Sequence, residues 1–276
     1  MTFFEKFLYF LEGSMTRPEN FGWFHLVFVA LVIVATVLIC IKFKDSSEKT
    51  INKIMLIAWI ILIIGETVKQ VLFSFEFDGS SVSWCYQWYA FPYQLCGTPL
   101  VILPLAIFLK EGKIRDACIT YLATFSLFGG IAVYFYPNDV FVGEIAINIQ
   151  SMIHHGLQII IGVFLAVHTR CDMKFRRYIG SVGVFAVLAA LALVMNVGMY
   201  HIFTANSIND TFNMFFISPY YDCTLPVLSA IYPKVPYPVF LAIYILGFMI
   251  ISAVVFYGTK GIYSLVTLKN RTNVKK

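Results

Sequence analysis

Apolar stretches of similar length dominate the chain, and shorter polar segments separate them. Seven stretches can be marked, at 21–41, 54–75, 88–109, 117–136, 145–167, 178–203 and 239–257. Each is close to the ~20 residues that a helix needs to cross the hydrocarbon core of a bilayer. Because backbone groups in lipid must hydrogen-bond within their own segment, stretches of this length are predicted to be helices. The pattern therefore predicts an all-α fold, a polytopic membrane bundle of seven transmembrane helices.

The same pattern divides the chain into three parts. Residues 1–20 are predicted to form an N-terminal interfacial segment, 21–260 the transmembrane domain, and 261–276 a basic cytoplasmic tail. In the first part, apolar residues recur at helical spacing, which favours a short helix lying in the membrane interface. A frayed apolar tail is the alternative. Glu5 and Glu12 stand where a cleavable signal peptide has basic residues, so no such signal is expected.

Charge gives the predicted spans a direction. Lys and Arg occur in the loops after the first, third and fifth spans, are absent after the second and fourth, and are reduced to Lys234 after the sixth. Short cytoplasmic loops retain Lys and Arg, so the N-terminus is predicted outside and the C-terminus in the cytoplasm. The net charge of +5 then meets anionic lipid at the inner face. With 59% hydrophobic and 13% charged residues, the composition gives no support to nucleic-acid binding.

This orientation sorts the six cysteines into three groups. Three are predicted at the cytoplasmic face: Cys40, Cys118 and Cys171. Cys85 and Cys223 fall outside, where they can form a disulfide in an oxidising compartment or stay as free thiols. Cys96 alone falls inside a predicted span, which makes it the thiol of functional interest.

Polar residues within the spans cluster at one depth. At ~1.5 Å per residue, they are predicted ~5–20 Å below the outer surface. Burying an ionisable group in lipid costs at least a few kcal/mol, so the clustering favours a shared polar cavity in the outer half of the bundle. The group includes His25, Glu66, Lys69, Gln70, Gln94, His154, His155, Gln158 and Asn196. The alternative, that polar groups lie near interfaces in any case, explains His25 and Lys69 but not His154, His155 and Gln158 near the midplane.

The fifth span carries two neighbouring polar stripes. They contain, respectively, Asn148, Ser151, His155 and Gln158, and Gln150, His154 and Gln158. Adjacent residues differ by ~100° around a helix, so the two imidazole rings are not expected to point in the same direction. His155 is favoured as the functional ring because its stripe has more polar partners. An interhelical hydrogen bond is the alternative role for a His in this position.

The third span is predicted to be irregular at Cys96. Pro99 removes its own backbone hydrogen bond and clashes with the carbonyl of Leu95. Irregular backbone at this depth is tolerated where it lines a cavity. A Cys and a His on facing helices can form a thiolate–imidazolium pair, the activated nucleophile of acyl transfer, and Asn196 or Gln158 can orient the imidazole. The alternative is an inert buried thiol.

Glu66 and Lys69 stand three residues apart on the second span, with Gln70 beside them. In one interpretation the pair is mutually neutral and Lys69 extends towards the interface. In the other, Lys69 holds a lipid phosphate and Glu66 keeps it in place. No segment has the pattern of a phosphate-binding loop, a zinc-binding helix or a serine-hydrolase elbow. His154 and His155 are poorly spaced for joint metal ligation, so neither a metal nor a cofactor is expected.

Three short segments carry a resemblance to a known family. They are Phe21-Gly22-x-x-His25, Pro92-x-x-Leu95-Cys96 and His154-His155-Gly156-Leu157. Together they resemble the bacterial YwaF-type integral membrane proteins, which are related to the eukaryotic transmembrane protein 164 family. Asn196 before an outer loop, and Asn213-Met214-Phe215 ahead of Pro219, are similar to a further family segment. The resemblance covers nearly the whole chain and implies a multi-pass protein of the bacterial plasma membrane.

The eukaryotic relatives are regarded as phospholipid acyltransferases that use a membrane Cys and a His. The resemblance therefore implies Cys96 as nucleophile, His155 or His154 as base, membrane lipids as partners and an acyl lipid as substrate. Tyr93-Gln94 before Leu95, and a Met after Asn213 where an aromatic residue is expected, depart from the family pattern. These departures concern the choice of substrate.

The sequence thus favours lipid acyl transfer or acyl-ester hydrolysis. The catalytic candidates are Cys96, His155, His154 and Asn196. The residues expected to bind substrate are His25, Glu66, Lys69, Gln70, Gln94, Gln158 and Asn213. One alternative from another class is a non-enzymatic carrier or receptor that binds a small polar ligand in the same cavity. Another is a scaffold whose polar residues only join helices. The sequence gives no indication of the oligomeric state.

Overall fold

Helices make up most of the computed structural model, which describes residues 1–168 and 174–273, with 262–273 as backbone only. In chain order they are α1 (Phe3–Leu11), α2 (Trp23–Lys42), α3 (Glu48–Leu72), α4 (Pro99–Phe108), α5 (Lys113–Tyr121), α6 (Leu127–Phe135), α7 (Ile145–Val167), α8 (Phe175–Ala205), α9 (Leu228–Ile231) and α10 (Tyr237–Asn273). Cys171 and the last three residues of the predicted tail lie outside the described residues.

Six helical stretches of the described chain are long and apolar enough to cross a membrane. They are α2, α3, α5 joined to α6, α7, α8 and the part of α10 that ends at Gly261. Each corresponds to one of the predicted spans. The predicted third span is represented by a shorter apolar helix, Leu95–Phe108.

The third span begins with irregular backbone. Two 3-10 turns, Trp88–Ala90 and Leu95–Gly97, precede the ten-residue α4. Pro99 stands in the first turn of α4, where its missing N–H leaves no helical bond unmade. The irregularity predicted at Cys96 is present, and it extends over residues 88–98, where a continuous helix was expected.

A two-stranded hairpin, which the all-α prediction omitted, follows α3. β1 (Phe75–Phe77) pairs with β2 (Val82–Trp84) in antiparallel register. The Asp78 carboxylate closes the turn by accepting hydrogen bonds from the backbone and hydroxyl groups of Ser80 and Ser81. These bonds, chiefly that from the Ser81 backbone, favour the charged form and lower the pKa of the Asp78 carboxyl.

α7 packs against α2, α3 and α6 at the centre of the bundle. Glycines permit the closest approaches. A methyl group at Gly156 would lie 2.6 Å from Val32 Cγ2, and one at Gly162 would lie 2.6 Å from Leu127 Cβ. Both distances are too short for carbon atoms, so the neighbouring helices lie as close as they do because these side chains are absent. Between α5 and α6 the helix widens into a buried π-helical turn, Leu122–Ser126, which packs on α7.

The connecting segments gather at two ends of the bundle. At one end, the N-terminal segment contacts the α6–α7 connection, where the Arg17 guanidinium donates to the carbonyl of Asn138. At the other end, Arg115 donates to Glu48 across 2.9 Å. The first end carries the hairpin and the irregular backbone before α4, and the second carries the loops rich in Lys and Arg.

The connection from α8 to α9 folds back into the bundle. Six of its side chains are buried: Phe212, Met214, Phe215, Ile217, Ser218 and Cys223. Phe215 and Phe216 have positive φ angles of 58° and 57°. A non-glycine residue persists in this conformation only where its surroundings over-determine the backbone. Hydrogen bonds with predicted site residues, Gln94 and Asn196 among them, hold this backbone.

Candidate functional site

Cys96 and the two imidazole rings of α7 are brought together, and the contact is made by a backbone group. The Cys96 carbonyl accepts hydrogen bonds from His154 Nε2 at 2.8 Å and from Gln158 Nε2 at 2.6 Å. Among the described residues, no hydrogen bond joins Cys96 Sγ to either ring. α7 therefore fixes the turn that carries the thiol without engaging the thiol itself.

Each imidazole keeps one nitrogen unbonded. His155 Nδ1 donates to the carbonyl of Ser151, one turn earlier in α7, at 2.7 Å. A carbonyl can only accept, so the proton is on Nδ1 of His155 and on Nε2 of His154. Among the described residues, His155 Nε2 and His154 Nδ1 are buried and have no partner. Each ring thus has a fixed tautomer and a lone pair on its other nitrogen.

Cys96, His154 and His155 all line one cavity of about 1090 Å³. Its other polar lining includes Glu66, Lys69, Gln94, Gln150 and Ser151. The ring centroids of His154 and His155 are 5.3 Å apart. Although the two rings diverge, as expected of adjacent helical positions, the cavity extends far enough around α7 for both to border it. A site built here can offer a nucleophile, a base and an ion pair within one solvent-accessible space.

Cys96 lies on the turn immediately before α4 and is partly exposed. The turn is tied down on its far side as well. Thr98 donates through its hydroxyl to the carbonyl of Leu95, and its Oγ1 lies 2.9 Å from the hydroxyl of the buried Tyr121. The thiol is therefore presented from a fixed backbone, next to the N-terminus of a helix whose dipole favours negative charge.

Lys69 and Glu66 form an ion pair at the cavity wall. Lys69 Nζ lies 2.8 Å from Glu66 Oε1, and Gln70 Nε2 donates to the same oxygen at 2.7 Å. Gln70 also donates to the carbonyl of Ala90, and its Oε1 accepts from the hydroxyl of Tyr86. The mutual neutralisation considered from the sequence is thus present, and the network connects α3 to the backbone that leads to Cys96.

Three amide side chains hold the segment that folds back between the helices. Gln94 Nε2 donates to the carbonyl of Asn213, and Gln94 Oε1 accepts from the N–H of Phe215. Asn196 bonds both backbone groups of Met214, at 2.7 and 2.9 Å. Asn213 bonds the carbonyl of Asp222 and the N–H of Ser218. We call Gln94, Asn196 and Asn213 the loop clamp.

The loop clamp changes the expected role of Asn196. Its Oδ1 and Nδ2 are both engaged by Met214, and among the described residues it makes no hydrogen bond to an imidazole. The group that orients His155 is the Ser151 carbonyl of the same helix. Sequence reasoning missed it because a backbone carbonyl has no residue signature. The three-to-four-residue spacing of Ser151 and His155 was the available signal.

His25 is fully buried beside the cavity wall. Its ring packs against Tyr134 and against Phe141, which itself lines the cavity. His25 Nδ1 accepts from the N–H of Phe21 at 3.0 Å, a residue whose φ is 59°. The position of His25 thus fixes the entry into α2, one helix removed from Cys96.

The two thiols considered for a disulfide are free. Cys85 lines the same cavity as Cys96, and Cys223 is buried in the segment after α8. Sequence reasoning did not place Cys85 in the cavity, because no local pattern marks which loop residues turn inward. It provides a second thiol against which the chemistry of Cys96 can be measured.

Comparison with known proteins identifies the family. The sequence model of the TMEM164 family matches residues 20–260, a range that contains every candidate site residue. No curated protein and no solved structure shows significant similarity. The predicted relation to the transmembrane protein 164 family is therefore confirmed. With its several membrane-length apolar helices, the chain is a multi-pass membrane protein and belongs to the TMEM164 family.

Proposed function

We propose that the protein transfers or hydrolyses acyl groups of membrane lipids, with Cys96 as nucleophile and His155 as base. One observation carries the proposal. Cys96, on a turn clamped by α7, shares a cavity with a buried imidazole whose tautomer is fixed and whose Nε2 has no partner among the described residues. A base oriented through one ring nitrogen and free at the other is the arrangement that thiol activation requires.

The first half-reaction forms a thioester. His155 Nε2 takes the thiol proton as Cys96 Sγ attacks the carbonyl carbon of a glycerolipid ester. Collapse of the tetrahedral intermediate breaks the ester C–O bond, and His155 returns the proton to the departing glyceryl oxygen. The products are an acylated Cys96 and a lysolipid. Catalytic hydrogen bonds often tighten only when substrate is bound, which accommodates the separation of the thiol and the ring in the free protein.

The second half-reaction removes the acyl group from Cys96. The hydroxyl of an acceptor lysolipid, or water, attacks the thioester carbonyl while His155 Nε2 accepts the hydroxyl proton. The C–S bond breaks, and the proton passes to the leaving thiolate. Acyl transfer and hydrolysis therefore differ only in which hydroxyl reaches the thioester.

Neighbouring groups have supporting roles in this proposal. His154 and Gln158 hold the Cys96 carbonyl, and the N-terminus of α4 favours the thiolate and the oxyanion that follows it. Lys69, kept in place by Glu66 and Gln70, binds the lipid phosphate at the cavity wall. Gln94, Asn213 and His25 act indirectly, by fixing the backbone around the cavity.

The proposal includes a membrane orientation. α4 and the irregular backbone before it make the third of seven crossings, since non-helical backbone is tolerated at membrane depth where it lines a cavity. The end rich in Lys and Arg faces the cytoplasm, and the N-terminus and the cavity face outward. The membrane is the bacterial plasma membrane. Protease cleavage or thiol labelling of loop variants in sealed vesicles measures this orientation directly.

Intact-protein mass spectrometry after exposure to p-nitrophenyl esters tests the chemistry. The wild type and Cys85→Ala are expected to gain one acyl group, since Cys85 only shares the cavity. Cys96→Ala is expected to gain none, and His155→Asn to gain it slowly. An acyl group that still appears on Cys96→Ala would overturn the assignment of Cys96 as the nucleophile. A wild type that never acquires one, yet binds a small polar solute, would instead support the carrier or receptor.

A further inference from the structure

A second groove lies beside the cavity, between α3 and α4. Its volume is about 530 Å³, within the range of ligand sites. Glu66, Phe75 and Pro92 line both the groove and the cavity, so the two spaces adjoin at these three residues. The groove therefore lies next to the candidate site.

The lining of the groove changes in polarity along its length. Thr67 and Gln70 on α3, and Ser74 just after it, are at the end near the cavity, together with the apolar Val71 and Phe75. Ile63 on α3 and Val101 on α4 line the opposite part, which has no polar side chain among the described residues. From Gln70 to Ile63, the rise along α3 is roughly 10 Å. A ligand that follows the groove thus has a polar end near the cavity and an apolar end deeper along the helices.

The apolar part of the groove is open to the side of the bundle. Ile63 is 38% exposed and Val101 43% exposed, and both lie on membrane-length or apolar helices that face lipid. A chain can therefore enter from the hydrocarbon region without first leaving the bilayer. Soluble polar ligands have no such route, because the opening is apolar.

We propose that this groove, here called the acyl groove, holds the acyl chain whose ester carbonyl reaches Cys96. The occupant is one fatty acyl chain of a membrane glycerolipid, with its ester end at the wall formed by Glu66 and Pro92. Its methyl end lies towards Ile63 and Val101. This inference rests on the proposed function for the reaction at Cys96, but the binding of the chain is a separate property of the groove.

Bulky substitutions on α3 and α4, paired with neighbours, test the acyl groove. Val101→Trp and Ile63→Trp fill it, whereas Leu105→Trp and Ile64→Trp add the same bulk at exposed positions that do not line it. The rate of Cys96 acylation is compared for p-nitrophenyl hexadecanoate and p-nitrophenyl butanoate. The groove variants are expected to lose about tenfold or more for the long ester only. The two controls are expected to match the wild type.

Equal rates for the long ester in Val101→Trp, Ile63→Trp and their controls would overturn the acyl groove and leave the reaction at Cys96 intact. Loss of both esters in the groove variants, with unchanged thermal unfolding, would also overturn it, since chain length would then not matter.

Photo-crosslinking separates this inference from the proposed function. Cys96→Ala protein is placed in phosphatidylglycerol vesicles that contain phosphatidylglycerol with a mid-chain diazirine. Adducts are expected on the peptides of α3 and α4 that line the groove, and Val101→Trp is expected to remove them. Leu105→Trp is expected to retain them. Adducts spread evenly over all the lipid-facing helices would overturn the acyl groove, whether or not Cys96 is ever acylated.

Discussion

Two sets of polar side chains at the same end of the bundle differ in how many of their polar atoms are hydrogen-bonded. The loop clamp of Gln94, Asn196 and Asn213 uses both the donor and the acceptor of each amide on backbone groups. In α7, His154, His155 and Gln158 each keep one buried atom without a partner among the described residues. A side chain whose donor and acceptor are both hydrogen-bonded is assigned a structural role. An unpaired buried polar atom costs free energy, so its presence calls for another explanation.

The largest expected effect is on turnover, in the α7 set. His155→Asn keeps a donor for the Ser151 carbonyl and removes Nε2 together with the adjoining part of the ring. Loss of a general base lowers the rate of thioester formation by roughly 10²–10⁴-fold. Thermal unfolding is expected to change little, because Nε2 makes no hydrogen bond. The acylation rate and the unfolding midpoint, measured on one preparation, check this. A large fall in the midpoint would place His155 with the structural set.

The next effect is on stability, in the loop clamp. Asn196→Ala leaves the buried N–H of Met214 without its partner, and leaves the carbonyl with only the 3.4 Å bond from the N–H of Ile217. Losing both amide bonds costs roughly 1–3 kcal/mol of unfolding free energy. Asn206→Ala is the matched control, because Asn206 is exposed and its amide donates only to Ile202. Denaturant unfolding in a defined detergent measures both. Equal unfolding free energies for the two variants would contradict the assigned role of the clamp.

A pair of Gln→Leu substitutions compares the two sets with the same chemistry. Gln94→Leu leaves the N–H of Phe215 unpaired, while the Asn213 carbonyl keeps its bond from the N–H of Phe216. A loss of about 1–3 kcal/mol of unfolding free energy is expected. Gln158→Leu removes an unpartnered Oε1, and the Cys96 carbonyl keeps its bond to His154. Its change in unfolding free energy is therefore expected to stay within ~1 kcal/mol. If Gln158→Leu is as destabilising as Gln94→Leu, the distinction between the sets fails.

The smallest effect concerns the hairpin turn, where the exposed Asp78 carboxylate accepts four hydrogen bonds. The hydrogen bonds from Ser81 and Ser80 lower the pKa of Asp78 in the folded protein. A depressed pKa means that the stabilisation is complete above the unfolded value of ~3.9 and is lost as the pH falls below it. The protection of the Ser80 and Ser81 amides from hydrogen exchange, relative to the intrinsic rate at each pH, is expected to fall under acid and in Asp78→Ala. Protection that persists in Asp78→Ala would show that the turn does not depend on the carboxylate.

The length and spacing of the helices were readable from the sequence because membrane thickness sets them directly. Six of the seven predicted stretches are long apolar helices. The extent of the irregular backbone before α4 could not be predicted from the sequence. Pro99 marks one break, but the rest depends on Gln94 reaching Asn213 and Phe215, about 120 positions away, and no local pattern records such a partner.

The positions of the polar site residues could also be predicted only in part. Hydrophobic patterning predicted the depth of His154, His155 and Gln158, and the helical period predicted that the two rings diverge. The direction in which each side chain points from its helix is known only from the structure. There His154 bonds the Cys96 carbonyl, and Asn196 bonds Met214. A loop residue such as Cys85, which the fold brings into the cavity, carries no periodic signal.

The turn that carries Cys96 is far in sequence from the segment after α8 to which Gln94 bonds. This separation affects the order in which the site forms during synthesis. Gln94 is synthesised 119 residues before Asn213, and at 5–20 residues per second the ribosome needs roughly 6–24 s to supply that partner. During this interval α7 and Tyr121 can hold the turn that carries Cys96, but the segment after α8 cannot. A chain that stalls after α8 thus has its thiol, its imidazoles and most of its helices, but lacks the bonds that Gln94 makes to Asn213 and Phe215. The backbone before α4 is therefore completed late in the synthesis of the protein.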